Sequence, residues 1–197
     1  AVEATVYYLQ TRRKPSDVYY AVGTESFCRQ LAEAGFHLRR TPDEDVTAVL
    51  CAFDTELTYR KVEDACRLLS RGADLLATNP DLACPTLFGY IPDCGSICQL
   101  LVNACGRRPV YIGKPDPTMI RLAWEQTGYG PAETLMVGDR LYTDIACGVN
   151  AGTDTALVLT GEATAADAAV SDTPPTLICR DMAELLERLK EARQESC

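Results

Sequence analysis

Histidine is almost missing from this chain: His37 is the only one among 197 residues. No Gly-x-Ser-x-Gly elbow accompanies it, so a serine hydrolase of that type is excluded. There is no Cys-x-x-Cys, and with one histidine zinc ligation has little support. No Gly-x-Gly-x-x-Gly turn follows any strand-like stretch, which excludes a dinucleotide-binding domain of that kind. No apolar run approaches the ~20 residues of a membrane span, and no charged-then-apolar leader opens these residues. Repeats and low-complexity tracts are absent. Basic residues are outnumbered, 19 against 28 acidic, for a net charge of −9. Such a chain repels phosphate backbones and anionic lipid, so neither nucleic acid nor a membrane surface is expected as a partner. An anionic substrate would need a local cationic pocket or a metal ion.

Cysteine, by contrast, is abundant at ten residues. Cys28, Cys51, Cys66 and Cys98 fall inside apolar patterns, where a free thiol acts as a small hydrophobe. Cys94 and Cys98, four apart, could share a helix face, but they too are read as core or incidental. Reduced thiols point to the cytoplasm.

With 47% hydrophobic and 24% charged residues the chain can build a packed core. Ala1 to Arg13 is helix-like. Strand signals at Val18–Val22, Val46–Phe53, Leu75–Thr78, Val110–Ile112, Thr134–Val137, Thr155–Thr160 and Thr176–Cys179 then alternate with helix signals. Thr24 can cap a helix carrying Phe27 and Leu31. Val62, Ala65, Cys66 and Leu69 mark another, with Gly72 ending it. Further helices are expected at 95–105, 118–127 and 143–151. Pro80 to Pro92 reads as a loop, and Met182, Leu185, Leu186 and Leu189 as the inner face of a closing helix. This alternation predicts an α/β fold with a largely parallel sheet. The Gly106-Arg107-Arg108-Pro109 break divides it.

Parallel sheets present ligand-binding residues at the carboxyl ends of their strands. Val137-Gly138-Asp139 delivers an aspartate there, and Asp144 follows near a helix start. A hard ion such as Mg²⁺ suits a few carboxylate oxygens and several waters, although either aspartate could simply cap the helix. Lys114, in Gly113-Lys114-Pro115 after another strand, could neutralise a phosphoryl oxygen or be a solvated surface lysine.

Taken in order, Gly113-Lys114-Pro115-Asp116-Pro117, Val137-Gly138-Asp139-Arg140, Thr143-Asp144-Ile145, Gly148 to Gly152 and Leu157-Val158-Leu159-Thr160-Gly161 resemble the C-terminal half of a haloacid-dehalogenase-like (HAD-like) phosphatase. Ala77-Thr78-Asn79-Pro80-Asp81 and Ile91-Pro92-Asp93-Cys94-Gly95 resemble the large cap of the NagD-like, p-nitrophenyl-phosphatase branch. The resemblance implies the C-terminal half of a Rossmann-like core plus an α/β cap: residues 1–14 a core or hinge helix, 15–108 the cap and 109–197 the core half. It implies a Mg²⁺-dependent hydrolase of small phosphorylated metabolites. Lys114 would be catalytic, steadying the nucleophile and the phosphoryl group. Asp139 would bind Mg²⁺, with Asp144 supporting the metal or the lysine. Thr78, Asn79, Asp81 and Asp93 would contact substrate, cap closure bringing Asn79 and Asp93 over the phosphate. Caps of this type often pair, which would give a homodimer.

One departure stands beside the match. The family's Asp-x-Asp, source of the attacking carboxylate, has no counterpart here. Asp43-Glu44-Asp45 has the spacing but reads as a solvated acidic turn. Hence the expectation that this chain belongs to a longer phosphatase and is inactive by itself. The strand at 135–137 should then form an apolar edge that needs covering. The alternative is a phosphate-binding or regulatory module without catalysis.

Overall fold

Helix α1 (Val2–Arg12) opens the computed structural model, which describes residues 2–195. Strand β1 (Val18–Val22) follows, then α2 (Glu25–Glu33), whose Thr24 side chain accepts the Phe27 N–H at 3.2 Å as expected of an N-cap. Next come β2 (His37–Arg39), β3 (Ala48–Cys51) and α3 (Tyr59–Ser70), capped by Thr58, then β4 (Asp74–Ala77). Strands β5 (Ala83–Thr86) and β6 (Gly89–Pro92) precede α4 (Cys94–Cys105) and β7 (Val110–Tyr111). These elements form one compact unit, which ends at Gly113.

Its sheet has the order β2-β1-β3-β4-β7 and is parallel throughout. Successive strand residues point to opposite faces, and β3 divides accordingly. Ala48 and Leu50 join Leu9 of α1 and Phe27 and Leu31 of α2. Val49 and Cys51 join Leu68 of α3 and Ile97 and Leu101 of α4. Helices on both faces explain why all four residues of β3 are buried and read as an unbroken apolar run.

Several expectations need adjusting. The expected break at 106–109 falls before β7, which pairs with β4 (Leu76 with Val110, Ala77 with Tyr111), so the unit boundary lies after Gly113. Helix α1 packs on the first unit's sheet through Leu9. Within the expected loop 80–92, β5 and β6 form an antiparallel hairpin. Pro85 and Pro92 hid it, since proline is confined to sheet edges, and its Leu87-Phe88 tip lacks the usual Asn-Gly signal. Asp43 and Asp45 are exposed beside Arg39, as expected of an acidic turn.

The second unit, from Lys114, holds α5 (Thr118–Thr127), a 3₁₀ turn at Pro131–Glu133, β8 (Leu135–Gly138) and a π-helical turn at Leu141–Ile145 running into α6 (Ala146–Ala151). Strand β9 (Asp154–Val158), α7 (Ala165–Ala169), β10 (Leu177–Cys179) and α8 (Met182–Glu195) complete it. Its parallel sheet has the order β10-β9-β8. Strand β8 thus lies at the edge, and all four of its residues are only half-buried. Helix α7 was not expected; Thr164 and Asp167 form a capping box, a signal legible in the residues themselves. The inner face expected for the last helix does not hold. Leu185 alone is buried, against Ala156, Val158 and Cys179, whereas Met182, Leu186 and Leu189 are exposed.

A buried ion pair ties the end of β3 to α3 in the first unit. The Asp54 side chain is fully buried; it accepts from Lys61 Nζ at 2.8 Å and from the Glu56 N–H at 2.9 Å. Lys61 also donates to the Gly23 carbonyl at 2.9 Å. Hydrogen bonds to charged groups contribute about 1.5–3 kcal/mol. Asp54→Ala is therefore expected to lower urea-unfolding stability by at least ~1.5 kcal/mol, and an unchanged midpoint would show that the pair contributes nothing.

Candidate active site

In the second unit, β8 ends at Gly138, and the next residue, Asp139, stands at the carboxyl edge of the sheet as the strand pattern required. Asp139 Oδ2 accepts the Glu162 N–H at 2.9 Å, and its carbonyl accepts the Ala163 N–H at 3.0 Å. The loop after β9 is thereby drawn against the loop after β8. Arg140 reinforces the junction through its 2.8 Å ion pair with Glu162. Gly161 packs so closely on Asp139 that a Cβ there would overlap the carboxylate. Asp139 is half-buried, and its Oδ1 has no hydrogen-bond partner among the described residues.

Asp144 lies in the π-helical turn and is buried. Its Oδ1 pairs with Lys114 Nζ, and its Oδ2 accepts the Arg140 N–H at 3.2 Å. A Cβ at Gly138 would collide with the Asp144 side chain, so glycine there admits the carboxylate beneath the strand end. The peptide after Lys114 is pinned to α6: Asn150 Nδ2 donates to the Pro115 carbonyl at 2.9 Å, and the Cys147 thiol to the Asp116 carbonyl at 3.3 Å. Asp116 itself accepts from the Thr118 N–H and hydroxyl at the start of α5. Lys114, Asp139 and Asp144 are thus brought together around one strand end. Both Asp144 oxygens are engaged by protein donors, while Asp139 keeps one open. The donor set fits a hard divalent ion that holds few carboxylates and keeps its waters. Glu162 and Gly161 matter to this geometry. Glu162 was not singled out in the sequence, although its place just after Leu159-Thr160-Gly161 at a strand end was the available signal.

The remaining candidates belong to the first unit. Thr78 follows β4 and is buried, its hydroxyl 3.6 Å from Cys94 Sγ. Its carbonyl accepts the Gly113 N–H at 3.0 Å, one residue before Lys114 in the chain. Asn79 accepts the Asp81 N–H at 3.0 Å in an Asx turn, and the Asp81 carbonyl accepts from Gly95 at 2.8 Å. Asp93 caps α4 through the Cys94 N–H at 2.6 Å. Thr78, Asn79, Asp81 and Asp93 therefore gather where β4 ends and α4 begins.

A family profile described as HAD-hydrolase-like matches residues 111–185. An acid sugar phosphatase of Staphylococcus aureus (strain MRSA252) is 34% identical over 187 residues, covering 95% of this chain and 71% of that protein. The chain belongs to the HAD-like hydrolases, in their NagD-like branch. Solved structures of HAD-like phosphatases share its fold. The 4-nitrophenylphosphatase of Thermotoga maritima gives a TM-score of 0.85 at 34% identity, over 94% of this chain and 70% of that one. A glycerol phosphate phosphatase of Mycobacterium tuberculosis, solved in complex with magnesium, gives 0.87 at 30% identity, over 93% and 56%. The family blocks read from the residues, from Gly113-Lys114-Pro115 to Leu159-Thr160-Gly161, all fall within the matched region.

Proposed function

We propose that this HAD-like chain serves a Mg²⁺-dependent phosphatase of small phosphorylated metabolites. The observation that carries the reading is the Lys114–Asp144 pair beside the open oxygen of Asp139 at the carboxyl edge of β8. In this reading Lys114 presents a compact positive charge to the phosphoryl oxygens of the substrate. Asp144 positions Lys114 through the ion pair and holds itself in place through the Arg140 N–H. Asp139 would hold Mg²⁺, its carboxylate oriented by the Glu162 N–H. The bound ion would supply neutralisation of charge on the phosphoryl group. The first unit acts as the cap, and the second as the C-terminal half of the core. Thr78, Asn79, Asp81 and Asp93 select the organic part of the substrate. A cytoplasmic setting accords with nine described cysteines that are all free thiols, and pairing through the cap gives a homodimer.

Titration calorimetry tests the metal site directly. Mg²⁺ is expected to bind the wild-type chain and to lose at least about tenfold in affinity in Asp139→Asn, because a carboxylate ligand is neutralised. Equal affinity in both proteins would remove Asp139 from the site. A second expectation concerns selectivity, in a form of the enzyme that turns over. There Asn79→Ala should lower kcat/KM for a sugar phosphate more than for p-nitrophenyl phosphate. Equal losses on the two substrates would count against a selecting role.

A further inference from the structure

Cysteine is concentrated at one point of the first unit. Cys51 ends β3, Cys94 opens α4 directly after its cap, and Cys98 lies one turn further on. Strand alternation turns Cys51 toward the α3/α4 face, and the i, i+4 spacing puts Cys94 and Cys98 on one side of α4. All three share one apolar cluster, all are completely buried, and their sulfurs lie within 4.8 Å of one another. We propose that Cys51, Cys94 and Cys98 form a three-sulfur site for a soft monovalent cation, Cu(I).

Burial alone does not explain the grouping. Cys28, Cys147 and Cys179 are also buried free thiols, yet among the described residues only Cys51, Cys94 and Cys98 form a metal-sized cluster. Metal–sulfur bonds of about 2.3 Å place the sulfurs of a trigonal set roughly 4 Å apart, inside the observed spread. The ligand type then chooses the ion. Thiolates favour Cu(I), zinc or iron–sulfur clusters. Zinc in structural sites takes four ligands, almost always cysteine or histidine. An iron–sulfur cluster also takes four. Among the described residues no fourth cysteine or histidine joins the cluster. His37 is exposed on β2, with β1 between it and β3, and the oxygens beside Cys94 Sγ are the Cys51 carbonyl at 3.3 Å and the Thr78 hydroxyl at 3.6 Å, both hard donors. Three sulfurs satisfy an ion that accepts three-coordinate thiolate.

A buried negative charge must be compensated, and Cys94 is placed for that. It sits at the N-terminus of a twelve-residue helix, whose dipole favours a thiolate. The Thr78 hydroxyl donates to Cys94 Sγ at 3.6 Å. When protonated, Cys94 donates instead to the Cys51 carbonyl, 3.3 Å away. Cu(I) displaces the thiol protons to solvent as it binds, and the helix N-terminus and the Thr78 hydroxyl face the negative charge that one cation leaves on three thiolates. Copper keeps its oxidation state throughout, so no oxidant is needed.

The test uses the reduced full chain, anaerobic, titrated with Cu(I) as its acetonitrile complex against a bicinchoninate competitor. One Cu(I) per chain should resist the competitor, X-ray absorption should report three sulfur neighbours, and the unfolding temperature should rise. Cys51→Ser, Cys94→Ser and Cys98→Ser should each weaken binding by at least about tenfold. The Cys66→Ser/Cys105→Ser pair should leave it unchanged. Should a serine variant fail to fold, the sulfur count on the wild-type protein still decides. Absence of competitor-resistant Cu(I), binding lost in the Cys66/Cys105 variant, or tighter Zn²⁺ binding with a fourth nitrogen or oxygen ligand would each overturn the proposal. None of these readings depends on phosphatase activity.

Discussion

Expressed as these 197 residues, the protein is expected to release no p-nitrophenol from p-nitrophenyl phosphate beyond the metal-free background, even in saturating Mg²⁺. Phosphate monoester hydrolysis is so slow that enzymes accelerate it by as much as ~10²¹-fold, and covalent attack by a carboxylate divides that barrier into two steps. The carboxylates of the Lys114 loop and of the segment after β8 already have other work. Asp144 gives one oxygen to Lys114 and the other to the Arg140 N–H. Asp116 caps α5. Asp139 is tied to the Glu162 N–H and, in the proposed reading, is the carboxylate that holds the metal. In covalent enzymes, loss of the nucleophile costs on the order of 10⁶-fold in kcat, which would put turnover below detection. A continuous colour assay with and without EDTA checks this. Clear Mg²⁺-dependent turnover that disappears in Asp139→Asn would mean that one of these three carboxylates attacks phosphorus.

Gly161→Ala should weaken Mg²⁺ binding at least as severely as Asp139→Asn while leaving the fold standing. A methyl group at Gly161 would occupy the space of the Asp139 carboxylate. Either the side chain rotates away from its Glu162 hydrogen bond or the loop after β9 lifts. Both displace the one open carboxylate oxygen. Overpacking of this kind costs about 1–3 kcal/mol, too little to unfold a typical domain with ~5–15 kcal/mol of stability. Gly130→Ala is the matched control in the same unit, because the nearest atom to its added Cβ is the Glu133 carboxylate at 4.0 Å. Calorimetry on both variants, with thermal unfolding alongside, separates a local loss from a global one. If Gly161→Ala binds Mg²⁺ like the wild type, the crowding around Asp139 has no bearing on the metal.

Much of the fold was legible because its helices bury one stripe and its strands are short apolar runs. The Thr24 cap, the Ala65-Leu69 face of α3 and the position of Asp139 after β8 all follow from local pattern. The β5–β6 hairpin was not legible, since its prolines contradict strand propensity and only the pairing of Ala83 with Pro92 and Thr86 with Gly89 reveals it. Helix α8 misled for the opposite reason: its leucines repeat at helical spacing, yet only Leu185 finds a buried partner. At the candidate site the sequence supplied Lys114, Asp139 and Asp144 but not Glu162: its place after a strand end was a signal, but a backbone N–H that orients a carboxylate leaves no mark in residue type.

What the residues determined by themselves was an α/β chain with a lysine and two aspartates at strand ends, in blocks that resemble the HAD-like family; periodicity and short motifs are local, and local chemistry suffices to specify them. What the tertiary structure alone decided was which aspartate holds the lysine and which keeps a free oxygen. It also decided that three cysteines, separated by as many as 47 positions, meet at one point. Those outcomes depend on distances between segments remote in sequence, and such distances are fixed only when the sheets and helices pack.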